Sequence, residues 1–163
     1  MLSRPAEARW SRPCAGIHAS GNLRPGMWLP VRRLNAAQLD SGTYALVLCL
    51  SAAKTITVGR RGPIHFPAGY YVYVGSALKN LASRIQRHLA LTKKLHWHID
   101  YFRAEAEVVG VCCIRQPIRY ECALAGEIAK LADAHIPKFG SSDCRCQTHL
   151  FYFRENPLGR SQP

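Results

Sequence analysis

Apolar residues in this chain fall into short runs broken by turn-forming residues. Residues 43–50 make one run of strand length. Ser51-Ala52-Ala53 reads as a turn, and residues 54–58 then alternate polar and apolar, as a half-buried strand should. Gly59-Arg60-Arg61-Gly62-Pro63 is a loop, and Pro67-Ala68-Gly69 turns the chain into a tyrosine-rich apolar strand at 70–74. After Gly75 the period lengthens. Leu78, Leu81, Ile85 and Leu89 share one stripe, which predicts an amphipathic helix reaching about Thr92. Residues 107–114 form a third apolar strand. Residues 120–135 predict a second helix, stopped by Pro137, and residues 149–153 a last short strand. The whole reads as one mixed unit of strands and helices.

The ends differ from this middle. Residues 1–38 hold six Arg, one acid and four prolines without sustained periodicity, and are expected to be a poorly ordered basic extension. An organelle transit peptide, or a misplaced start with Met27 as the true one, would give the same composition. The folded unit is placed at 39–154, and 155–163 as a frayed tail.

Charge narrows the partner. Lys and Arg number 22 against 10 acids, a formal +12, and residues 41–99 contain no Asp or Glu at all. A contiguous acid-free block suits a phosphate-tracking face, so nucleic acid is the expected partner. No apolar run approaches the ~18–20 residues of a membrane span, and the basic helix lacks bulky interfacial anchors, so no membrane partner is expected. Seven cysteines, odd in number and partly inside apolar runs, do not read as a disulfide framework. A reducing, cytoplasmic setting follows. Oligomeric state is left open.

The chemistry concentrates in a few places. The strand Tyr70-Tyr71-Val72-Tyr73-Val74-Gly75-Ser76-Ala77 runs into a segment with Lys79, Arg84 and His88. Arg84 and His88 lie one turn apart on one flank of the helix, while Gln86 and Arg87 point away to solvent. Tyr44 lies in Gly42-Thr43-Tyr44, at the start of another strand. Glu121 falls in line with the second helix's apolar stripe of Leu124, Ala125, Ile128, Leu131 and Ala132. An acid on that edge either answers the helix dipole or coordinates a hard cation such as Mg2+. In His96-Trp97-His98-Ile99-Asp100-Tyr101, Trp97 and Ile99 are expected to pack while His96, His98 and Asp100 line a groove. Cys144, Cys146 and His149, with His96 or His98, are the residues a zinc ion would take. Cys-x-Cys departs from the usual spacing, so these cysteines are expected to be reduced thiols without a structural metal.

Taken in order, Gly42-Thr43-Tyr44, Tyr73-Val74-Gly75, Arg84, His88 and Glu121 resemble the signature of the GIY-YIG endonuclease superfamily. His-Trp-His-Ile-Asp-Tyr, Glu-Cys-x-Leu-Ala and Phe-Gly-Ser-Ser-Asp-Cys-x-Cys resemble its small, stand-alone Uri-type branch. The likeness covers about residues 41–153. Two departures are a Thr43 where Ile is usual and a 29-residue separation of Tyr44 from Tyr73, which implies an inserted hairpin.

The resemblance implies an α+β fold, a three-stranded antiparallel core with that extra hairpin, flanked by helices. It implies DNA phosphodiester cleavage with one Mg2+ or Mn2+ ion, with repair or branched intermediates as candidate substrates. Tyr44 and Tyr73 would face the attacking water or scissile phosphate, one as general base. Arg84 would stabilise developing charge, His88 would bind phosphate or relay a proton, and Glu121 would hold the metal. Gly75 would permit close approach and Ser76 touch phosphate. Lys79, Lys93 and Lys94 would add positive charge along the substrate path. A phenol titrates near pH 10, so a tyrosine base needs cations such as Arg84 and Lys79 close by. The alternative is a non-catalytic nucleic-acid-binding module on the same fold, with structural zinc.

Overall fold

The computed structural model describes residues 28–29 and 40–159. In chain order the strands are β1 (Trp28–Leu29), β2 (Gly42–Leu50), β3 (Lys54–Thr57), β4 (Pro63–Phe66), β5 (Gly69–Ala77), β6 (Glu107–Arg115), β7 (Ala134–His135) and β8 (Leu150–Phe153). The helices are α1 (Leu81–Leu89), α2 (His98–Arg103) and α3 (Glu121–Ala129). The fold is α+β. A six-stranded antiparallel sheet runs β1-β6-β2-β5-β8-β7, and β3-β4 form a separate hairpin inserted between β2 and β5. The three longest strands, β6, β2 and β5, sit together at the centre.

Register explains why the central runs are apolar throughout. Tyr44 pairs with Gly75, Leu46 with Tyr73 and Leu48 with Tyr71, which puts all six on one face. Ala45, Val47 and Cys49 pair with Val74, Val72 and Tyr70 on the other. Both faces are covered. The first packs against Leu81 and Ile85 of α1, Ile99 and Phe102 of α2, and Ile56 and Phe66 of the hairpin. The second packs against Leu124, Ala125 and Ile128 of α3. Phe66 lies 4.8 Å from Phe102 and 6.0 Å from Tyr71 between ring centroids, so the hairpin closes the aromatic half of the core. Such pairs each add about 0.5–1.5 kcal/mol beyond area burial.

Several boundaries differ from the sequence reading. α1 starts at Leu81, leaving Leu78 exposed outside it. Asp40 sets that start by accepting the N–H groups of Leu81, through its carbonyl, and Ala82, through its carboxylate. α3 ends at Ala129, and residues 134–135 pair with β8 instead of continuing the helix. Asp133 makes the change, donating its N–H to Tyr152 O and accepting that of Arg154. The segment around His98 is the helix α2.

The extension and tail also need correction. Trp28 and Leu29 pair with Cys112 and Val111, so the sheet reaches back into the segment assigned to the extension. The remainder of residues 1–38 lies outside the described residues. Leu158 packs against the second face of the sheet, so the folded unit runs past residue 154. No helix among the described residues is long and apolar enough to cross a membrane.

Candidate active site

Four strands come to one end of the sheet: β2 and β8 begin there, and β5 and β6 finish there. A cleft of about 350 Å³ opens at this end. It gathers side chains from both faces. Tyr44, Tyr73, Arg84 and His88 come from the α1–α2 side, while Ser76 and Glu121 come from the α3 side.

The two tyrosines are placed by glycines. A Cβ on Gly75, opposite Tyr44, would lie 2.4 Å from the Tyr44 hydroxyl. Gly140, at φ 69°, leaves similar room for the Tyr73 ring, which a Cβ there would approach to 2.9 Å. Gly75 therefore makes space for a phenol rather than for substrate backbone.

Tyr44 Oη donates to His88 Nε2 at 2.7 Å. The opposite nitrogen, Nδ1, makes no hydrogen bond but lies 4.0 Å from Asp100 Oδ1. A proton on Nδ1, facing that carboxylate, is the tautomer this arrangement favours, and it leaves Nε2 to accept. Burial, helped by the charges of Lys93, Arg87 and Arg84, outweighs Asp100 and lowers the His88 pKa to about 3. The imidazole is neutral at pH 7. Burial also raises both phenols, reinforced at Tyr44 by Tyr73 and at Tyr73 by Glu121, with only Arg84 opposing. A resting phenolate is thus disfavoured, contrary to the expectation that local cations would promote one. Lys79 is exposed and outside the cleft lining.

Asp100 was expected on the groove wall. Instead its side chain is fully buried beneath the site. Arg87 grips it with two bonds of 3.0 Å, and the N–H groups of His96 and Trp97 donate to Oδ2 at 2.9 Å. Burial opposes ionisation, but these bonds and the charge of Lys93 hold the carboxyl at about 2. Lys93 is likewise no substrate ligand. Its ammonium is 3.4 Å from Asp100 Oδ1 and donates to Arg87 O and His88 O. Arg87, expected in solvent, lies 4.3 Å over Trp97 and stays folded onto Asp100. Lys94 is exposed and away from the cleft lining. His96, Trp97 and His98 do line it, and His98 Nδ1 accepts the Gly140 N–H at 3.3 Å.

Arg84 donates from Nη1 to Ser76 O at 3.0 Å, anchoring its guanidinium at the end of β5. Ser76 Oγ in turn donates to Glu121 Oε2. On the other carboxylate oxygen, Oε1 lies 2.9 Å from His149 Nδ1, a short contact bent from ideal hydrogen-bond alignment. Burial opposes ionisation of Glu121, yet the bonds from His149 and Ser76 and the charges of His149 and Arg119 bring its pKa below the usual value.

Residues 43–162 match the family described as Domain of unknown function DUF123. The chain belongs to this family. The DUF123 match takes in every residue that lines the cleft. Comparison with curated proteins returns no match, and comparison with solved structures returns none.

The structure also adds residues to the site. Arg119, Ser142 and Asp143 face the same cleft. Arg119 directly precedes Tyr120, whose N–H donates to Thr43 Oγ1 at 2.9 Å, so β2 fixes the entry to α3. Cys122 joins Cys144, Cys146 and His149, with the four ligand atoms within 4.8 Å of one another. His96 and His98, expected as alternatives for that fourth place, belong to the cleft instead. Cys122 was missed because it is 22 residues upstream and sits on a helix.

Proposed function

We propose that this DUF123 chain is a metal-dependent endonuclease that hydrolyses DNA phosphodiester bonds at the sheet-end cleft. The carrying observation is the Tyr44–His88 hydrogen bond, set in a cleft that also presents Arg84 and Glu121. The likeness of Gly42-Thr43-Tyr44 and Tyr73-Val74-Gly75 to the GIY-YIG signature supports the same reading, as does the formal charge of +12.

Tyr44 takes the proton of the attacking water while passing its own proton to His88 Nε2. That relay avoids a free phenolate, which the buried site disfavours. A phosphate in the cleft adds negative charge, which shifts His88 toward accepting, and Asp100 behind Nδ1 stabilises the imidazolium. Tyr73 borders the same space and orients the phosphate. Arg84 answers the charge that grows on the phosphoryl oxygens, and its bond to Ser76 O keeps it pre-positioned. Arg119, His96 and His98 line the path of the strand.

The donor set fits a divalent cation. Each Glu121 oxygen accepts one protein contact and keeps a lone pair, and Asp143 lines the same cleft. Mg2+ or Mn2+ characteristically takes one or two carboxylates and completes its shell with water and phosphate. Bound there, the ion would supply charge neutralisation of the leaving oxygen. Five of the six described cysteines are free thiols, whereas Cys49 is disulfide-bonded, which departs from the expectation of cysteines reduced throughout.

Purified chain incubated with supercoiled, single-stranded and branched DNA, with and without Mg2+ or Mn2+, tests this. Cation-dependent cutting is expected, and Arg84→Ala should abolish it without lowering the melting temperature. Salt-sensitive DNA binding with no cutting of any form would overturn the reading in favour of a binding module.

A further inference from the structure

A second cavity of about 120 Å³ adjoins the cleft, bounded by Cys122, Cys144 and His149 and sharing Glu121 with it. Cys146 brings a third thiol to Cys122, Cys144 and His149 beside it, from separate parts of the chain. Cys122 is the second residue of α3, Cys144 and Cys146 lie in the long loop before β8, and His149 immediately precedes that strand.

The dimensions are those of a single tetrahedral ion. With Zn–S about 2.3 Å and Zn–N about 2.0–2.1 Å, sulfur and nitrogen on one tetrahedral edge stand about 3.5 Å apart. Cys144 Sγ and His149 Nε2 are 3.5 Å apart, and no pair among the four ligand atoms exceeds 4.8 Å. Three sulfurs and one imidazole nitrogen form a borderline-soft, closed donor set that suits Zn2+ and rejects Mg2+.

His149 is what gives the site a consequence. It is 1% exposed, with Nε2 toward the sulfurs and Nδ1 2.9 Å from Glu121 Oε1. Metal-bound histidines regularly give their second N–H to a carboxylate, which fixes tautomer and ring orientation. Glu121 and Cys122 are adjacent on the first turn of α3, one on each side of this imidazole. We propose that Cys122, Cys144, Cys146 and His149 hold a structural zinc ion, and that His149 thereby positions the Glu121 carboxylate in the cleft.

The same ion would cross-link the loop that carries Gly140, Ser142 and Asp143 into the cleft wall. Residues 136–149 contain no helix or strand. Thr148 Oγ1, donating toward Ile136 O, and the backbone pairs Lys138–Gln147 and Phe139–His149 hold the base of this loop. The cysteines lie nearer its tip, where an ion would add the missing constraint. Binding deprotonates the thiols, releasing protons as Zn–S bonds form, and requires no oxidant or reductant.

The zinc site stands independently of cleavage, whereas its bearing on catalysis rests on the nuclease reading. Elemental analysis of full-length chain purified without added metal should find one zinc per chain. Co2+-exchanged protein should show tetrahedral d–d bands and thiolate charge-transfer absorption. A metal-free chain, or a cobalt spectrum without thiolate bands, would overturn the assignment. For the positioning role, Glu121→Ala should weaken zinc, measured against a competing chelator, by roughly 10–100-fold. Unchanged zinc affinity in that variant would sever His149 from Glu121. A chain that holds zinc this way yet leaves all DNA intact would defeat the proposed function and leave the zinc site standing.

Discussion

Gly75→Ala places a methyl group where the Tyr44 phenol now lies. The added carbon would stand 2.4 Å from the hydroxyl and 2.5 Å from Cζ, whereas ordinary contact begins at 3.4 Å. The ring tip must therefore retreat by about 1 Å. Tyr44 is 2% exposed, so the retreat strains its surroundings. The bond to His88 Nε2, now 2.7 Å, would stretch beyond the limit of about 3.5 Å for a hydrogen bond. Losing that bond costs about 0.5–1.5 kcal/mol, and overpacking a filled core adds about 1–3 kcal/mol. The fold should survive with reduced stability. Cleavage should fall roughly 100-fold, the usual consequence of misplacing a reacting group by about 1 Å. The assay is single-turnover cleavage of a fixed duplex alongside thermal melts, for Gly75→Ala, Tyr44→Phe and the double variant. Both changes act through one hydroxyl, so the double variant should cut no more slowly than Tyr44→Phe alone. Wild-type rates in Gly75→Ala, or losses that multiply in the double variant, would show that Gly75 does not act through the Tyr44 hydroxyl.

Stability should fall as pH drops from about 6.5 toward 3. The unfolded His88 protonates near 6.5 while the folded one resists until about 3, so the unfolded state binds more protons throughout that window. Asp100, held at about 2 against 3.8, adds a further loss at the acid end, and denaturant melts from pH 7 to pH 3 should show both. Lys93→Glu should lower the melting temperature sharply, since breaking a buried ion pair costs about 3–5 kcal/mol, whereas the exposed Lys94→Glu should only weaken DNA binding and reduce its salt dependence. Equal melts for the two would contradict the burial of Lys93. A chain begun at Leu34 should melt lower than one begun at Met27, because it lacks the strand on the β6 edge; identical melts for the two would show that Trp28–Leu29 contributes nothing.

Local pattern made the strands at 42–50, 69–77 and 107–115 legible, because sheets covered on both faces write themselves as unbroken apolar runs. Helix ends were less legible. Asp40 caps α1 from 41 residues away and Asp133 diverts the chain after α3, and neither effect follows from periodicity. Tyr44, Tyr73, Arg84, His88 and Glu121 were singled out by residue type and order, and the fold brings all five to one cleft. Charge alone misled at Lys93 and Asp100. Both look like solvated polar residues in the sequence, yet each is buried because the other, with Arg87, neutralises it. Cys122 escaped notice for a related reason: its partners are distant in sequence, and only the packing of α3 against the loop before β8 unites them.

Glu121 and the Tyr44–His88 pair are proposed to form one phosphodiester-cleaving centre. Its most direct test is the single-turnover cleavage rate of a labelled duplex across a Mg2+ titration, for wild type and Glu121→Gln. The wild type should cut in a saturable, Mg2+-dependent manner. Glu121→Gln should show little or none at any Mg2+ concentration while retaining the fold by circular dichroism. Coincident titration curves for the two proteins would contradict a shared centre.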